Sequence, residues 1–204
     1  MFITFEGIEG SGKSTLLTAI AEKLRSAGKS VVTTREPGGT RVGDAIRAVF
    51  LQPDLSMNPM TEALLVNASR AALTEEVIRP ALARGTIVLC DRYTDSTLAY
   101  QGYGRGLDLS VLRQLCDAAT GGLKPDVTFL LDLSPEQSQQ RLAGRDGQRN
   151  DRIENESIAF HALVRHGFLM LAKEDVRMRA LDALQSPEKL LARAMQVLAE
   201  KAIL

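Results

Sequence analysis

The sequence predicts an α/β fold in which a parallel five-stranded sheet is flanked by helices. Three observations predict it: short apolar runs recur along the chain, longer amphipathic segments separate them, and a glycine-rich turn follows the first run. Runs that are apolar throughout are typical of strands buried on both faces, as in parallel sheets covered by helices. For a chain of 204 residues, one domain spanning 1–204 is the expected organisation.

Five segments are predicted to form the strands of this sheet. They are residues 2–6 (FITFE), 30–34 (SVVTT), 86–91 (TIVLCD), 127–133 (VTFLLDL) and 176–183 (VRMRALDA). The first helix is expected to run from Lys13 to near Gly28, because glycine is common just past the end of a helix.

Later helices carry their own start and stop signals. Ser134, followed by Pro135 and Gln137, has the pattern of a capping box, and Ser186-Pro187-Glu188 repeats the start signal for a final helix. Residues 60–84 are predicted to be helical, with Pro80 expected to kink or end the helix. The glycine-rich segment GYGRG (102–106) and the polar segment GRDGQRND (144–151) are expected to be loops.

Composition excludes several classes of protein. The 25 basic and 25 acidic residues balance, so no net charge draws the chain to nucleic acid or to an anionic membrane. Two cysteines, Cys90 and Cys116, are too few for a disulfide framework or a four-cysteine zinc site. The N-terminus has no basic stretch and the chain has no apolar run of about 20 residues. A cytoplasmic protein is therefore expected.

The stretch GIEGSGKST (7–15) carries the clearest chemical signal. Gly7 to Ser14 matches G-x-x-x-x-G-K-[ST], the P-loop, and lies between a predicted strand and a predicted helix. Backbone N–H groups of such a loop bind phosphate oxygens, so Lys13 is predicted to reach the β- and γ-phosphates of ATP and Ser14 to ligate Mg²⁺. The predicted ATP-binding residues are Gly7, Ile8, Glu9, Gly10, Ser11, Gly12, Lys13, Ser14 and Thr15.

A second phosphate site is predicted beside the first. Asp91 ends the strand TIVLCD, where a carboxylate completes the Mg²⁺ shell of a P-loop protein. Arg92 follows at the same strand end, where open α/β sheets bind ligands, and Arg47 and Arg70 are also able to converge on a phosphate. No N-K-x-D-like guanine-reading segment follows a strand, which weighs against a GTPase switch.

Taken together, five motifs resemble the thymidylate kinases over nearly the whole chain. They are FEGIEGSGKST (5–15), TREPGGT (34–40), LCDRYTDSTLAYQGYGRG (89–106), KPD (124–126) and DRIE (151–154). The resemblance implies a P-loop NTPase fold with a short lid at about 144–154. It also implies an enzyme that transfers the γ-phosphate of ATP to dTMP, giving dTDP and ADP for dTTP supply. Mg²⁺ dependence and a homodimer are further implications.

The same resemblance assigns roles to the matching residues. Arg47, Arg70 and Arg92 are expected to clamp the acceptor phosphate, Thr97 or Ser96 and Gln101 to read the polar edge of thymine, and Tyr100 to lie beneath the nucleoside. A phosphomonoester is mostly ionised at neutral pH, so the nucleophile needs no general base. Fixed arginines, Lys13 and Mg²⁺ offset the repulsion between the two anions.

Glu9 and Gly10 need separate explanations. By resemblance, Glu9 contacts the acceptor side, near the deoxyribose 3′-hydroxyl and Arg92; the alternative is a solvated loop residue. Gly10 stands where some family members carry a catalytic arginine, and in the second subtype of the family the lid supplies that cation. The lid arginines are Arg145, Arg149 and Arg152, of which Arg149 and Arg152 are predicted to reach the transferred phosphoryl. A closed lid also excludes water.

Val66 departs from the family pattern, which usually has a phenylalanine four residues before the clamp arginine. Val66 and Arg70 should share one helix face and look into the acceptor site, and losing the aromatic face weakens base packing by about 1 kcal/mol. Phe50 or Tyr93 could supply an aromatic instead. Two alternatives therefore stand beside a dTMP kinase: a kinase for another nucleoside monophosphate, and a noncatalytic ATP-binding module.

Overall fold

The computed structural model describes residues 1–144 and 151–200 and contains the predicted sheet. Its strands are β1 (Phe2–Glu6), β2 (Val31–Arg35), β3 (Ile87–Asp91), β4 (Val127–Asp132) and β5 (Met178–Asp182). They lie in the order β2-β3-β1-β4-β5, and every neighbouring pair is parallel. The prediction of a parallel five-stranded sheet is confirmed.

Helices cover both faces of this sheet. They are α1 (Lys13–Ser26), α2 (Arg41–Leu51), α3 (Pro59–Leu73), α4 (Arg79–Ala83), α5 (Thr94–Thr97), α6 (Leu109–Thr120), α7 (Pro135–Ala143), α8 (Ile158–Glu174) and α9 (Pro187–Glu200). Successive side chains of β1 enter different cores: Ile3 and Phe5 join the larger cluster, and Phe2 joins a smaller one with Val88 and Cys90 of β3. This alternation explains why the strands read as continuous apolar runs.

The predicted helix signals are present in the structure. Gly28 has φ 77°, and its N–H donates to the Arg25 carbonyl at 2.9 Å, which closes α1 where the sequence indicated. Ser134 and Gln137 form the reciprocal capping box at the start of α7. The Ser186 hydroxyl accepts from the Lys189 N–H at 3.4 Å at the start of α9.

Pro80 changes the helix type rather than ending the helix. Between α3 and α4 the chain forms a π-helical turn at Thr74–Ile78, and the Arg79 N–H donates to the Thr74 carbonyl five residues back. Proline lacks an N–H and crowds the preceding turn of an α-helix. The wider turn just before Pro80 therefore lets the helix continue past it.

The expectation of a loop at 102–106 is wrong for its first residues, because Leu98–Gly104 is π-helical. A Cβ added to Gly104 would lie 2.8 Å from Phe160 Cε2 and 2.9 Å from Val164 Cγ2. Glycine is needed here because α8 packs directly against this backbone. Only Gly106, at φ 78°, has the left-handed conformation typical of a turn.

The sheet brings the P-loop and the first acceptor-side residues to one edge. Gly7 follows β1 and Asp91 ends β3, and the Arg92 N–H donates to the Phe5 carbonyl at 2.9 Å. The carboxyl ends of parallel strands are where α/β sheets bind ligands. Both cysteines are buried free thiols. Within the described ranges, no helix combines the length and apolar character needed to span a bilayer.

Candidate active site

The P-loop joins β1 to α1 as a turn that only glycine can form. Gly7, Gly10 and Gly12 have φ values of 137°, 69° and 95°. A Cβ at Gly7 would lie 2.5 Å from the Leu131 carbonyl oxygen. Such a turn directs consecutive N–H groups to one side, where phosphate oxygens can accept from them.

Lys13 lies folded over this loop. Its Nζ donates to the carbonyl oxygens of Gly7 at 3.1 Å and Ile8 at 3.0 Å. Burial, reinforced by the nearby Arg92 guanidinium, lowers the pKa of Lys13 to about 8, although Asp91 and Glu9 oppose the shift. The ammonium group is thus held in a poorly solvated position, where an added phosphate anion would stabilise its charge.

Ser14 and Asp91, the two predicted metal ligands, are in direct contact. The Ser14 hydroxyl donates to Asp91 Oδ2 at 2.6 Å. Both groups offer the hard oxygen ligands that Mg²⁺ prefers. Among the described residues there is no cluster of three or more His, Cys, Asp or Glu side chains that could hold a metal alone. Mg²⁺ commonly takes one or two protein ligands and completes its shell with phosphates and water, so Ser14 and Asp91 would suffice to hold it.

Glu9 is half-buried against the acceptor-side residues, with 13% of its side chain exposed. Arg92 Nη2 donates to Glu9 Oε1 at 2.7 Å, and the Tyr100 hydroxyl lies 2.7 and 2.9 Å from the two carboxylate oxygens. Burial alone would raise the pKa of Glu9, but Arg92 and then Lys13 outweigh it, and the pKa is lowered. The contact between Glu9 and Arg92 that the resemblance implied is present, and the solvated-loop alternative is wrong.

Arg92 is held by several neighbours at once. Nη1 donates to Ser96 Oγ at 3.2 Å, and Nη2 also donates to the Tyr100 hydroxyl at 3.0 Å. Its guanidinium carbon lies 4.9 Å from the centroid of the Tyr100 ring. Arg92 has φ 73°, and it is the only non-glycine residue with positive φ in the parts of the chain that the structure describes. This left-handed backbone costs about 1–2 kcal/mol for a residue with a Cβ.

A single cavity of about 360 Å³ connects the P-loop to the predicted acceptor residues. Glu9, Gly10, Lys13, Ser14 and Asp91 line one part of it. The predicted substrate residues that line it are Arg47, Val66, Arg70, Arg92, Ser96, Thr97, Tyr100 and Gln101. The fold therefore gathers every predicted substrate residue around one space.

The three predicted clamp arginines differ in their burial and in how many protein groups their guanidiniums already bind. Arg70 is only 1% exposed, and its guanidinium donates to Glu36 Oε2 at 2.8 Å, Thr97 Oγ1 at 2.9 Å and the Tyr93 carbonyl at 2.9 Å. Although burial alone would lower the pKa of Arg70, Glu36 raises it above its ordinary value. Arg70 thus lies in the wall beside Thr97, engaged by protein groups.

Arg47 is more accessible and donates through Nη1 to the Pro37 carbonyl at 3.0 Å. Of the three, Arg47 is thus the guanidinium least engaged by described protein groups.

Comparison with known proteins identifies the family. A model of the family "Thymidylate kinase" matches residues 5–194. This chain belongs to the thymidylate kinase family. The thymidylate kinase of Deinococcus radiodurans is 51% identical over 202 residues, covering 98% of this chain and 97% of the relative. That of Nitratidesulfovibrio vulgaris is 50% identical over 195 residues, covering 92% and 87%. The crystal structure of thymidylate kinase from Ehrlichia chaffeensis superposes with a TM-score of 0.79 at 34% identity, covering 97% and 98% of the two chains.

The structure describes only part of the predicted lid. Arg145 and Arg149 lie outside the described residues. Arg152 Nε donates to the Phe50 carbonyl at 3.0 Å, Nη1 donates to Glu62 Oε1 at 2.5 Å, and its guanidinium carbon lies 5.0 Å from the Phe50 ring centroid. Arg152 thus contacts α2 and α3 here, and its role at the transferred phosphoryl stays a prediction.

Val66, the position at which the resemblance implies a phenylalanine in most family members, lies at the cavity. Val66 lines the cavity with Arg70, and Phe50 lines it as well. Tyr93 does not: it is fully buried in the smaller core cluster, with its ring centroid 4.9 Å from that of Phe2. The proposal that Tyr93 supplies an aromatic is therefore wrong, whereas Phe50 remains able to do so.

The structure also shows why glycine suits position 10, where the resemblance implies an arginine in some family members. Its φ is 69°, and a Cβ there would lie 3.3 Å from the Ser138 carbonyl oxygen of α7. In addition, the Ser138 hydroxyl donates to the Glu9 carbonyl at 2.7 Å and Arg141 Nη1 donates to the Gly10 carbonyl at 3.2 Å. Because α7 packs against this part of the loop, a long side chain at position 10 would be strained.

Sequence reasoning missed several residues that line the cavity: Arg35, Glu36, Pro37, Leu51, Asp151, Ile153 and Glu154. All except Leu51 belong to the TREPGGT and DRIE motifs, so the motifs themselves were the available signal. Leu51 is an ordinary apolar helix residue, and nothing in its sequence context indicates a site.

Proposed function

We propose that this chain is an ATP-dependent kinase that phosphorylates dTMP to dTDP, releasing ADP, and so contributes to dTTP supply. One observation carries the proposal: a single cavity is lined by P-loop Lys13 and Ser14 on one side and by Arg92, Thr97 and Gln101 on the other. A γ-phosphate and an acceptor phosphate can therefore meet in a shared space. Membership of the thymidylate kinase family supports the same reaction.

In the donor half, residues 7–15 bind the phosphates of ATP through the backbone N–H groups of the loop. Lys13, now directed at the Gly7 and Ile8 carbonyls, is long enough and close enough to exchange them for phosphate oxygens. Ser14 and Asp91 would hold Mg²⁺, which when bound neutralises charge on the phosphates.

In the acceptor half, Arg92 and Arg47 bind the phosphate of dTMP, and an oxygen of that phosphate attacks. Because the nucleophile is already ionised, the main contribution of the protein is to hold two anions together with fixed positive charge. Glu9 keeps the Arg92 guanidinium in place and accepts from the 3′-hydroxyl of the deoxyribose. Its own charge is compensated by Arg92, so ATP does not meet an unpaired carboxylate.

Thr97 (or Ser96) and Gln101 read the thymine, and Tyr100 supports the nucleoside. Tyr100 is suited to a supporting role because its ring packs edge-on against Phe160 and Phe168, with centroids 6.1 and 6.0 Å away. A lid at about 144–154, with Arg145, Arg149 and Arg152, closes over the phosphates. We propose that residues 1–204 act as one cytoplasmic domain.

We also propose that the enzyme is a homodimer, as the family resemblance implies. Apolar side chains that such a contact could bury are exposed on α2 and α3: Val42 is 55% exposed, Val49 44% and Leu64 51%. Light scattering during gel filtration should give twice the chain mass of 22.2 kDa. Val49→Asp should shift the mass toward one chain, and a wild-type mass of one chain would refute the dimer.

The decisive experiment measures ADP release from Mg·ATP with dTMP, dUMP, dCMP, dGMP, AMP or no acceptor. A strong preference for dTMP supports the proposed function. Faster turnover with another acceptor would identify a kinase for a different nucleotide. ATP binding without acceptor-dependent turnover would identify a noncatalytic module.

A further inference from the structure

Glu62 of α3 is a buried carboxylate just behind the acceptor site. Its side chain is 1% exposed, and Glu62 is not among the residues that line the cavity. Arg105 donates to it through Nη2 at 2.9 Å and Nε at 3.2 Å, and Arg152 Nη1 donates at 2.5 Å. Two guanidiniums thus fix the position of this carboxylate, which presents only hydrogen-bond acceptors to its neighbours.

Among the described residues, Glu62 has one further side-chain partner, Gln101, which is one of the predicted readers of the base. Gln101 Nε2 donates to Glu62 Oε2 at 3.1 Å, and Gln101 itself lines the cavity. Because Glu62 can only accept, the side-chain amide must turn its NH₂ group away from the cavity. No hydrogen bond to its carbonyl oxygen is found within the part of the chain that the structure describes, which leaves that oxygen available to accept from a ligand in the cavity.

An amide locked in this orientation distinguishes two pyrimidines. Thymine has a donor at N3, so the Gln101 carbonyl oxygen can accept from it. Cytosine has a lone pair at N3 instead, which would face the same oxygen acceptor to acceptor. If the amide were free to rotate by half a turn, it would offer NH₂ to cytosine and the distinction would be lost.

We propose that Glu62 is a positioning residue that makes the acceptor site selective for a base with a donor at N3, by holding the Gln101 amide in one orientation. The inference rests on the proposed function, because it takes Gln101 as a base-reading residue. Glu62 itself does not touch the nucleotide. The proposal concerns thymine against cytosine only, since uracil has the same donor at N3.

The test compares kcat/KM for dTMP and dCMP in wild type and Glu62→Gln. A glutamine at position 62 can donate as well as accept, so Gln101 is released to present either face. The ratio of the two kcat/KM values should fall by about tenfold or more, because a site built to accept one hydrogen bond rejects the mismatched analogue strongly. A merely structural role would lower both values together and leave the ratio unchanged, which would overturn the proposal.

Glu156→Gln is the matched control. Glu156 also pairs with Arg105 but has no contact with Gln101, so this variant removes a charge from the same cluster without freeing the amide. Its ratio should stay at the wild-type value. An equal fall in both variants would show that any loss of charge near Arg105 alters selectivity, and would also overturn the proposal.

A measurement on the wild type covers the case in which Glu62→Gln does not fold. The ¹⁵N resonance of the Gln101 side-chain amide can be assigned by its absence in Gln101→Leu. When the amide stays on Glu62, its NH₂ protons remain protected from exchange in both the free and the dTMP-saturated enzyme. Loss of protection on dTMP binding would overturn the proposal. If wild type instead shows no turnover of dTMP, it is the proposed function that fails.

Discussion

Replacing Arg92 with alanine should affect both catalysis and stability, and a second substitution at Glu9 separates the two effects. The Arg92 guanidinium donates to Glu9, Ser96 and Tyr100, and it faces the cavity in which the two phosphates would meet. A single preorganised group that stabilises the charge developing between the reacting groups is worth about 10²–10³ in kcat. Because Arg92 is proposed to hold the acceptor phosphate, we expect Arg92→Ala to lower kcat for dTMP by at least about 10².

The same substitution should also lower the free energy of unfolding, because it removes the ion pair between Arg92 and Glu9. Glu9, whose side chain is 13% exposed, would lose its closest cation, and breaking a buried pair costs about 3–5 kcal/mol. Because this pair is only partly buried, and because Tyr100 and Lys13 still neighbour the carboxylate, we expect a cost of about 3 kcal/mol, at the low end of that range. Adding Glu9→Gln removes the unpaired charge and should restore most of this stability, but it supplies no cation and should restore no activity.

The assay combines ADP release with dTMP and urea unfolding for the two single variants and the double variant. Arg92→Lys is the control that keeps the charge but loses the planar fork, and it should retain more activity than alanine. Arg92→Ala with kcat within about tenfold of wild type would refute the role of Arg92, since a single ordinary hydrogen bond accounts for a loss of that size. Recovery of activity in the double variant would show that the defect arose from the stranded Glu9.

Three further predictions follow from particular contacts. Val66→Phe should lower KM for dTMP by about 2- to 10-fold, because the phenylalanine ring adds an aromatic face against the base, whereas Val66→Leu should not. An unchanged KM in the phenylalanine variant would show that another aromatic side chain already packs against the base. Burial raises the pKa of Glu6 from 4.5 to about 8, so the folded protein keeps a proton that the unfolded chain releases, and stability should fall as pH rises through that window. Glu6→Gln should remove this pH dependence of the free energy of unfolding, which amounts to on the order of 5 kcal/mol across the window. A Glu6→Gln variant with the wild-type pH profile would contradict the assignment of the raised pKa to Glu6. Gly104→Ala should lower the free energy of unfolding in urea by about 1–3 kcal/mol, because its Cβ would clash with Phe160. An unchanged unfolding midpoint would show that α8 can shift to make room for the methyl group.

The strands and the substrate cavity were predictable because each depends on local sequence. Apolar runs located all five strands to within about two residues. The end of the third strand put Asp91 beside the P-loop, where its carboxylate accepts from Ser14. The motif matches placed Arg92 and Gln101 at the same cavity. Such features are encoded within short segments, where spacing alone carries the information.

Features that depend on tertiary packing were not predictable. Gly104 looks like a turn residue in sequence, yet it lies in a helix because α8 packs against it. Glu62 reads as an ordinary acidic residue in the first turn of α3, and its partners Arg105 and Arg152 are far away in the chain. Tyr93 adjoins Arg92 in sequence but turns into the opposite core. Each of these outcomes is decided by which elements become neighbours.

The left-handed backbone of Arg92 makes position 92 a place where two contributions to stability oppose each other. Glycine is the residue that adopts φ 73° without a steric penalty, so Arg92→Gly would relieve about 1–2 kcal/mol of backbone strain. The same replacement would leave Glu9 without its closest cation, at the larger expected cost of about 3 kcal/mol. A screen for thermal tolerance alone should therefore retain arginine at this position, because the ion pair with Glu9 outweighs the strain that it requires.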